Sequence, residues 1–425
     1  MRILWLTMVK VPAVAKRLGE TSTNTGGWIK TGLLTLRTMS EVSSIAIVTV
    51  YNGKDDIEFI EDEVHYYLVS SRTGIFKFDR RLSKKLEKIL EKFVPNIVDI
   101  HGAEFFFGKS MLEVCRDIPV CITLQGLSSE ISKWYYAGIS PYKLAFFRTI
   151  KDNLMFDGVF ERQLRMKSRG RNEKEILKKV KYVLGRTEWD RANSLKHNPQ
   201  LKFYSSDRIL REPFYHQIWD INAIERYSIF TIQSTYPLKG LHLLLDAVRQ
   251  LLIEFPRIKL YIPGKNMISR STLFEKITFG NYQKYLAYLI DKYNLESNIV
   301  FLGSLNDAQV AERLSRSHVF VLPSVLENSP NSLAEAQIVG TPSVAAFVGG
   351  VPKMVEDNVS GLLYNCFETA ILAEKIRQIF NNDVFAVQLS KNARRKAFER
   401  HSQEKNGNDI VKAYTSIIEC HKNEI

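Results

Sequence analysis

Glu327 and Glu335 lie eight positions apart in the stretch VFVLPSVLENSPNSLAEAQIVGTPSVAAFVGGVPKMVEDNVSGLL, residues 319–363. An apolar run over 319–322 leads into Pro323 and Ser324, and predicts a buried strand that ends in a turn. Ser329 fits an N-cap, Pro330 a first helical residue and 334–339 a helix body. Glu327 then precedes the helix and Glu335 sits about two turns inside it. The helix N-terminus between them offers backbone N–H groups to an anion such as a phosphate. Two carboxylates flanking a phosphate seat suit a ligand with hydroxyls on both sides of a diphosphate, as in a nucleotide sugar.

Other residues add charge or close approach. In TIQSTYPLKGLHLLLDAV, Lys239-Gly240 follows a strand-like run and opens a helix. A lysine at such a turn brings a point charge to a diphosphate. A fixed cation there stabilises leaving-group charge more in the transition state than in the ground state. Gly26-Gly27, in TNTGGWIKTG after the first strand, lets backbone N–H groups come close to a ligand. His101 ends the run PNIVDIH, where it could orient a hydroxyl or simply pack. Arg186, in YVLGRTEWD, reads equally as a second cation for phosphate or as a surface arginine, and Thr187 with Asp190 reads as a capping box.

The ordered set PS…E-x7-E…G-x-P…GG-x-P…G-L-L resembles the retaining glycosyltransferases of family 4, which have the GT-B fold. The resemblance implies two Rossmann-like domains facing a central cleft, and transfer of a sugar from a nucleotide donor, a UDP-sugar by family analogy, to a glycan or lipid-linked acceptor. It places Glu327 near the donor sugar and Glu335 on the ribose hydroxyls. It gives the diphosphate to the backbone N–H groups of Asn331, Ser332 and Leu333, with Gly349-Gly350 a second close-approach turn. Similar enzymes often carry arginine where this chain has Ser234, so more of the diphosphate charge falls to Lys239 and the helix. Where the family usually ends a strand in His-Gly, this chain has Gln125-Gly126. Glutamine cannot act as a base near neutrality, which suits a mechanism whose departing diphosphate takes the acceptor's proton. No cofactor is implied, and no metal, since there is no convincing Asp-x-Asp motif. An epimerase acting on nucleotide sugars, or a non-catalytic sugar or polyanion binder, remain alternatives on the same fold.

The elements that must position these residues alternate. Residues 2–6, 44–51, 64–69, 97–101, 120–124 and 180–184 read as strands, with helices over 32–39 and 82–92. The pattern restarts with strands over 228–232, 259–262, 299–302, 318–322 and 343–346, and helices over 241–254, 281–293 and 307–315. This is α/β alternation with parallel sheets. It predicts an acceptor-side domain over 1–212, a nucleotide-sugar domain over 213–401, and a final helix over 402–420 that crosses back to the first. The acidic stretch 55–63 reads as a solvated loop.

Composition sets outer bounds. A chain of 425 residues, 45% hydrophobic and 25% charged, is an ordinary globular protein of two domains. Its start reads as a strand, not a signal peptide, and no run has the ~18–20 apolar residues of a membrane span. Scattered cysteines suggest a reducing, cytoplasmic setting. The net charge of +13 favours anionic partners. No nucleic-acid motif is present. Residues 133–148 mix aromatics with basic residues, and 160–181 hold nine Lys or Arg against three Glu, so an anionic membrane surface is a candidate partner and a peripheral location follows from it.

Overall fold

The computed structural model describes residues 1–20, 27–71, 77–232, 235–266 and 279–424. The chain divides into two compact units. The first comprises Met1–Ser129, Ser168–Arg211 and Arg400–Ile425, and the second Glu130–Lys167 and Glu212–Glu399. The sequence reading kept 130–167 with the first domain, whereas these residues cluster with the second. The reason is a set of long-range contacts: the Asn281 N–H donates to Asp152 Oδ2 at 3.0 Å, and His242 Nε2 lies 3.0 Å from the Ala137 carbonyl.

The first unit holds strands β1 (Arg2–Thr7), β2 (Ser44–Tyr51), β3 (Ile57–Glu61), β4 (Val64–Ser70), β5 (Ile97–His101), β6 (Val120–Thr123), β7 (Tyr182–Gly185) and β8 (Lys202–Ser205). Their order across the sheet is β3-β4-β2-β1-β5-β6-β7-β8. Alternate residues of β1 and β2 feed opposite faces: Leu4, Leu6, Ala46 and Val48 enter one core cluster, Ile3, Trp5, Ile45 and Ile47 the other. Burial on both faces is why these strands read as unbroken apolar runs. The helix Gln403–Lys422 packs into the second of these clusters through Val411, Tyr414 and Ile417.

The acidic stretch 55–63 is not a loop. It contains β3, antiparallel to β4, and the turn residues Asp62 and Glu63 both take the left-handed conformation, at φ +50° and +61°. That turn matches the strand twist. The strand escaped notice because it is an edge with one solvated side, Glu58 among the exposed residues.

The second unit holds β9 (Glu225–Phe230), β10 (Lys259–Ile262), β11 (Ile299–Phe301), β12 (Ser317–Leu322), β13 (Ser343–Ala346) and β14 (Leu362–Tyr364), all parallel, in the order β11-β10-β9-β12-β13-β14. The chain runs outward from β9, then returns beside it with β12. In a parallel sheet the strand ends at such a reversal leave a crevice that takes ligands. The first sheet reverses in the same way between β1 and β5.

Candidate active site

The reversal in the second sheet brings two loops together. After β9, Pro237–Lys239 forms a single tight turn and Gly240 caps the helix Leu241–Leu251. Gly240 sits at φ +70°, and a Cβ there would lie 1.9 Å from the Pro323 carbonyl oxygen. Only glycine allows this approach. The Val325 N–H donates to the Leu238 carbonyl at 2.8 Å, which ties the loop after β12 to the same turn.

Lys239 Nζ donates to Glu327 Oε1 at 2.6 Å, with the side chains only 13% and 10% exposed. Burial by itself would depress the lysine's pKa, but the Glu327 carboxylate and the Tyr236 hydroxyl outweigh it and hold the pKa above the usual lysine value. Lys239 therefore stays charged. Its ammonium also stands 5.8 Å from the Tyr236 ring centre. The Glu327 backbone is clamped from the far side. The Gly350 N–H donates to its carbonyl at 3.0 Å, and Gly349, at φ +52°, has room for no Cβ because that same oxygen would lie 1.9 Å away.

The next helix is Asn331–Val339. Pro330, not Ser329, occupies the cap position, in extended backbone and with no side-chain cap bond. Ser329 fails as the cap because its hydroxyl turns to the Met354 sulfur, 3.7 Å away. Asn331 and Ser332, at the first turn, are half-buried, and Leu333 is buried. Glu335 is 3% exposed, on a helix whose residues 333–339 are all buried. Lys239, Glu327, Glu335 and this helix start thus come from one pair of neighbouring strands. Gly26 and Ser234 lie outside the described residues. Gly27 begins the helix Gly27–Arg37 in the first unit, its Cα against the Arg211 side chain.

His101, Gln125 and Arg186 meet in the first unit. His101 is buried at the end of β5, its ring 4.8 Å from Trp5 and 5.3 Å from Trp28. Neither ring nitrogen has a hydrogen-bond partner among the described residues. Burial lowers the His101 pKa despite Asp99 at 3.7 Å, so the ring is neutral near pH 7. Asp99 is occupied instead by the hydroxyls of Thr123 and Tyr414, at 2.7 and 2.6 Å. Gln125 accepts from Arg208 through its side chain, and its carbonyl accepts from Arg186 Nη2 at 3.3 Å. The Thr187–Asp190 capping box forms, with Asp190 also accepting from the Arg186 N–H at 3.0 Å.

Sequence reasoning missed Arg208, Trp28 and Glu104. The Arg208 guanidinium stacks 4.2 Å from the Trp28 ring centre, and burial, then the charge of Arg186, depress its pKa. A cavity of about 510 Å³ is lined by Trp28, His101, Glu104, Phe105 and Gln125, together with Lys10 and Glu20. The sequence signal for Trp28 was its place directly after Gly26-Gly27. Arg208 and Glu104 carried none, because their neighbours come from strands distant in the chain.

Two buried acids shape this unit's pH response. Burial pushes Glu104 up to about 7. Burial, reinforced by the charge of Glu104, pushes Glu173 up to about 8, although Ser128 and Ser129 donate to it. An unfolded glutamate titrates near ~4.3. From about pH 4.5 to 8 the folded state therefore holds protons that the unfolded chain has lost, and stability falls as pH rises across that window. We expect the melting temperature of the first unit to drop between pH 5 and 8. Glu173→Gln should flatten that slope, and an unchanged slope in differential scanning calorimetry would contradict the assignment.

The family comparison falls on the second unit. Residues 216–396 match the family model of group 1 glycosyl transferases. Among curated relatives, a D-inositol 3-phosphate glycosyltransferase from a Nocardioides species is 31% identical over 165 residues, 37% of this chain and 34% of that protein. The alignments cover 32% to 46% of the length of the relatives compared. Over the whole chain the likeness is one of fold. The sucrose-phosphate synthase of Thermosynechococcus elongatus superposes with a TM-score of 0.71 at 17% identity, covering 99% of this chain and 100% of that one. Anabaena Alr3699/HepE, solved with UDP and glucose, gives 0.66 at 16% identity, covering 98% and 100%. The two parallel-sheet units are those of the GT-B fold.

Proposed function

We propose that this chain is a retaining glycosyltransferase of the family 4 type, which moves a sugar from a nucleotide-sugar donor to a glycan or lipid-linked acceptor. The observation that carries the reading is the Lys239–Glu327 pair, 2.6 Å apart where the second sheet reverses direction. A buried cation and carboxylate at that crevice, beside a helix N-terminus, match the three chemical parts of such a donor. Lys239 and the N–H groups of Asn331, Ser332 and Leu333 would take the diphosphate. Glu327 would take the sugar hydroxyls, and Glu335 the ribose hydroxyls, where one carboxylate can accept from both members of a vicinal pair. The match to HepE, whose structure holds UDP, supports uracil as the base.

In the reaction the bond from the anomeric carbon to the diphosphate oxygen breaks, and the acceptor oxygen bonds to that carbon on the same face. The acceptor's proton passes to the departing diphosphate oxygen. Lys239 offsets the charge that develops there, so the step needs no metal ion and no cofactor. His101, neutral and buried with neither ring nitrogen paired among the described residues, is our candidate in the first unit for orienting an acceptor hydroxyl, with Gln125 fixed beside it by Arg208.

The donor assignment is tested at Glu335. Glu335→Ala should weaken binding of UDP by about 1.5–3 kcal/mol, the range for hydrogen bonds to a charged group. Isothermal calorimetry on a folded variant would measure it. Unchanged affinity would remove Glu335 from the ribose.

A further inference from the structure

The segment Glu130–Lys167 of the second unit carries an apolar surface that the donor site does not use. Tyr142, Phe146, Ile150, Leu154, Met155, Phe156 and Leu164 are between 61% and 89% exposed. They are seven of the twenty large apolar side chains exposed among the described residues, gathered within 23 positions. Exposed apolar side chains are ordinary when scattered singly along a chain, whereas interaction surfaces concentrate them, as this segment does.

The scaffold beneath them is tied down. Leu144, Val159 and Asp152 point inward and are buried. Thr149 and Asp152 form a capping box at the start of the helix Ile150–Met155, and Asp152 also accepts from the Asn281 N–H at 3.0 Å. Phe147 packs on Tyr285 and Tyr288 at ring distances of 5.4 and 5.3 Å. The outward residues therefore sit on the helices Pro141–Phe146, Ile150–Met155 and the start of Val159–Leu177, with Phe156 at the C-cap of the second.

The charges of the segment are sorted by sign. Its acids are turned inward or bound: Asp152 is buried, Asp157 is held by Arg162 and Arg165, Glu161 by Arg148, and Glu130 by Lys133. Lys143 and Lys167 are exposed among the apolar residues, whereas Arg165, also exposed, is paired with Asp157. The basic run noted in the sequence divides here, since residues through Lys167 belong to the second unit and the rest to the first, where Lys181 is bonded to Glu424 at 2.8 Å.

From this arrangement we infer that the face spanning Tyr142 to Leu164 docks onto an anionic lipid bilayer, with its aromatic and aliphatic side chains inserted at the headgroup boundary. Bulky side chains that project from short helices suit a penetrable partner, and exposed cations with neutralised acids suit an anionic one. No described helix is long and apolar enough to cross a membrane, so the contact lies in the plane of the surface. This inference rests on no catalytic assignment.

Co-sedimentation with phosphatidylcholine vesicles containing phosphatidylglycerol tests it on the full chain. The wild type should sediment with these vesicles and poorly with pure phosphatidylcholine. Replacing three residues together, Phe146→Ser, Leu154→Ser and Phe156→Ser, should reduce binding at least tenfold while leaving the melting temperature and UDP binding unchanged. A control with Ile60→Ser, Ile253→Ser and Val384→Ser, exposed apolar residues elsewhere, should bind as the wild type does. Failure of the wild type to bind anionic vesicles, or normal binding by the first triple variant, would overturn the inference. So would a dimer in sedimentation velocity without lipid that the first triple variant abolishes, since the face would then receive a second copy of the chain.

Discussion

Lys239→Ala should lower kcat by about 10²–10³-fold and raise the donor's KM far less, the loss typical of one group aimed at developing charge. The reason lies in when the charge is needed. The diphosphate is already anionic in the bound donor, but its bridging oxygen gains negative charge only as the glycosidic bond breaks. A buried ammonium fixed by Glu327 at 2.6 Å needs no reorganisation at that moment. Lys239→Arg keeps the charge and should recover part of the rate, which separates electrostatics from the effect of leaving Glu327 without its partner. Steady-state kinetics decide the matter. A pure KM effect would mean that the lysine only holds the ground state.

Gly349→Ala should be comparably damaging without touching the donor. A Cβ at this position would lie 1.9 Å from the Glu327 carbonyl oxygen, in a left-handed backbone conformation at φ +52°. The backbone must separate, the Gly350 bond to the same oxygen is lost, and Glu327 shifts on the scale of an ångström. A displacement of about 1 Å in a positioning group can cost 10²-fold in rate. Gly303→Ala provides the comparison. It imposes a similar strain, at φ +68°, but its Cβ meets nothing within 4 Å. It should cost about 1–2 kcal/mol of stability and leave kcat unchanged. Equal kinetics for the two variants would show that the clamp on Glu327 has no role.

Much of this was legible in the chain, and the gaps have physical causes. The buried parallel strands declare themselves as apolar runs, so β2, β10 and β13 fall where the periodicity puts them. β3 hides among acids because an edge strand solvates one face, and β8 hides because it is the opposite edge of the same sheet, with none of its four residues buried. The residues proposed for the donor were singled out one at a time from local turns, spacing and the family resemblance. That Lys239 and Glu327 share an ion pair across 88 positions follows only from β9 and β12 being neighbours, which no local window contains. The same holds for Arg208 on Trp28 and for Glu104. The allegiance of residues 130–167 depended on Asp152 meeting Asn281, again a long-range contact. Ser329 looked like a cap by residue type, but local preference yielded to a tertiary contact with Met354.

The proposed reaction is sugar transfer to an acceptor with the anomeric configuration kept. Proton NMR of the purified chain with a panel of UDP-sugars, with and without glycan or lipid-linked acceptors, tests it most directly. One donor should be consumed only when an acceptor is present, UDP should accumulate with it, and the new anomeric signal should have the coupling of the same configuration as the donor. Conversion of the donor with no acceptor would point to an epimerase, binding without turnover to a sugar-binding protein, and an inverted anomeric signal to a different mechanism; any of these would rule out retaining transfer by this chain.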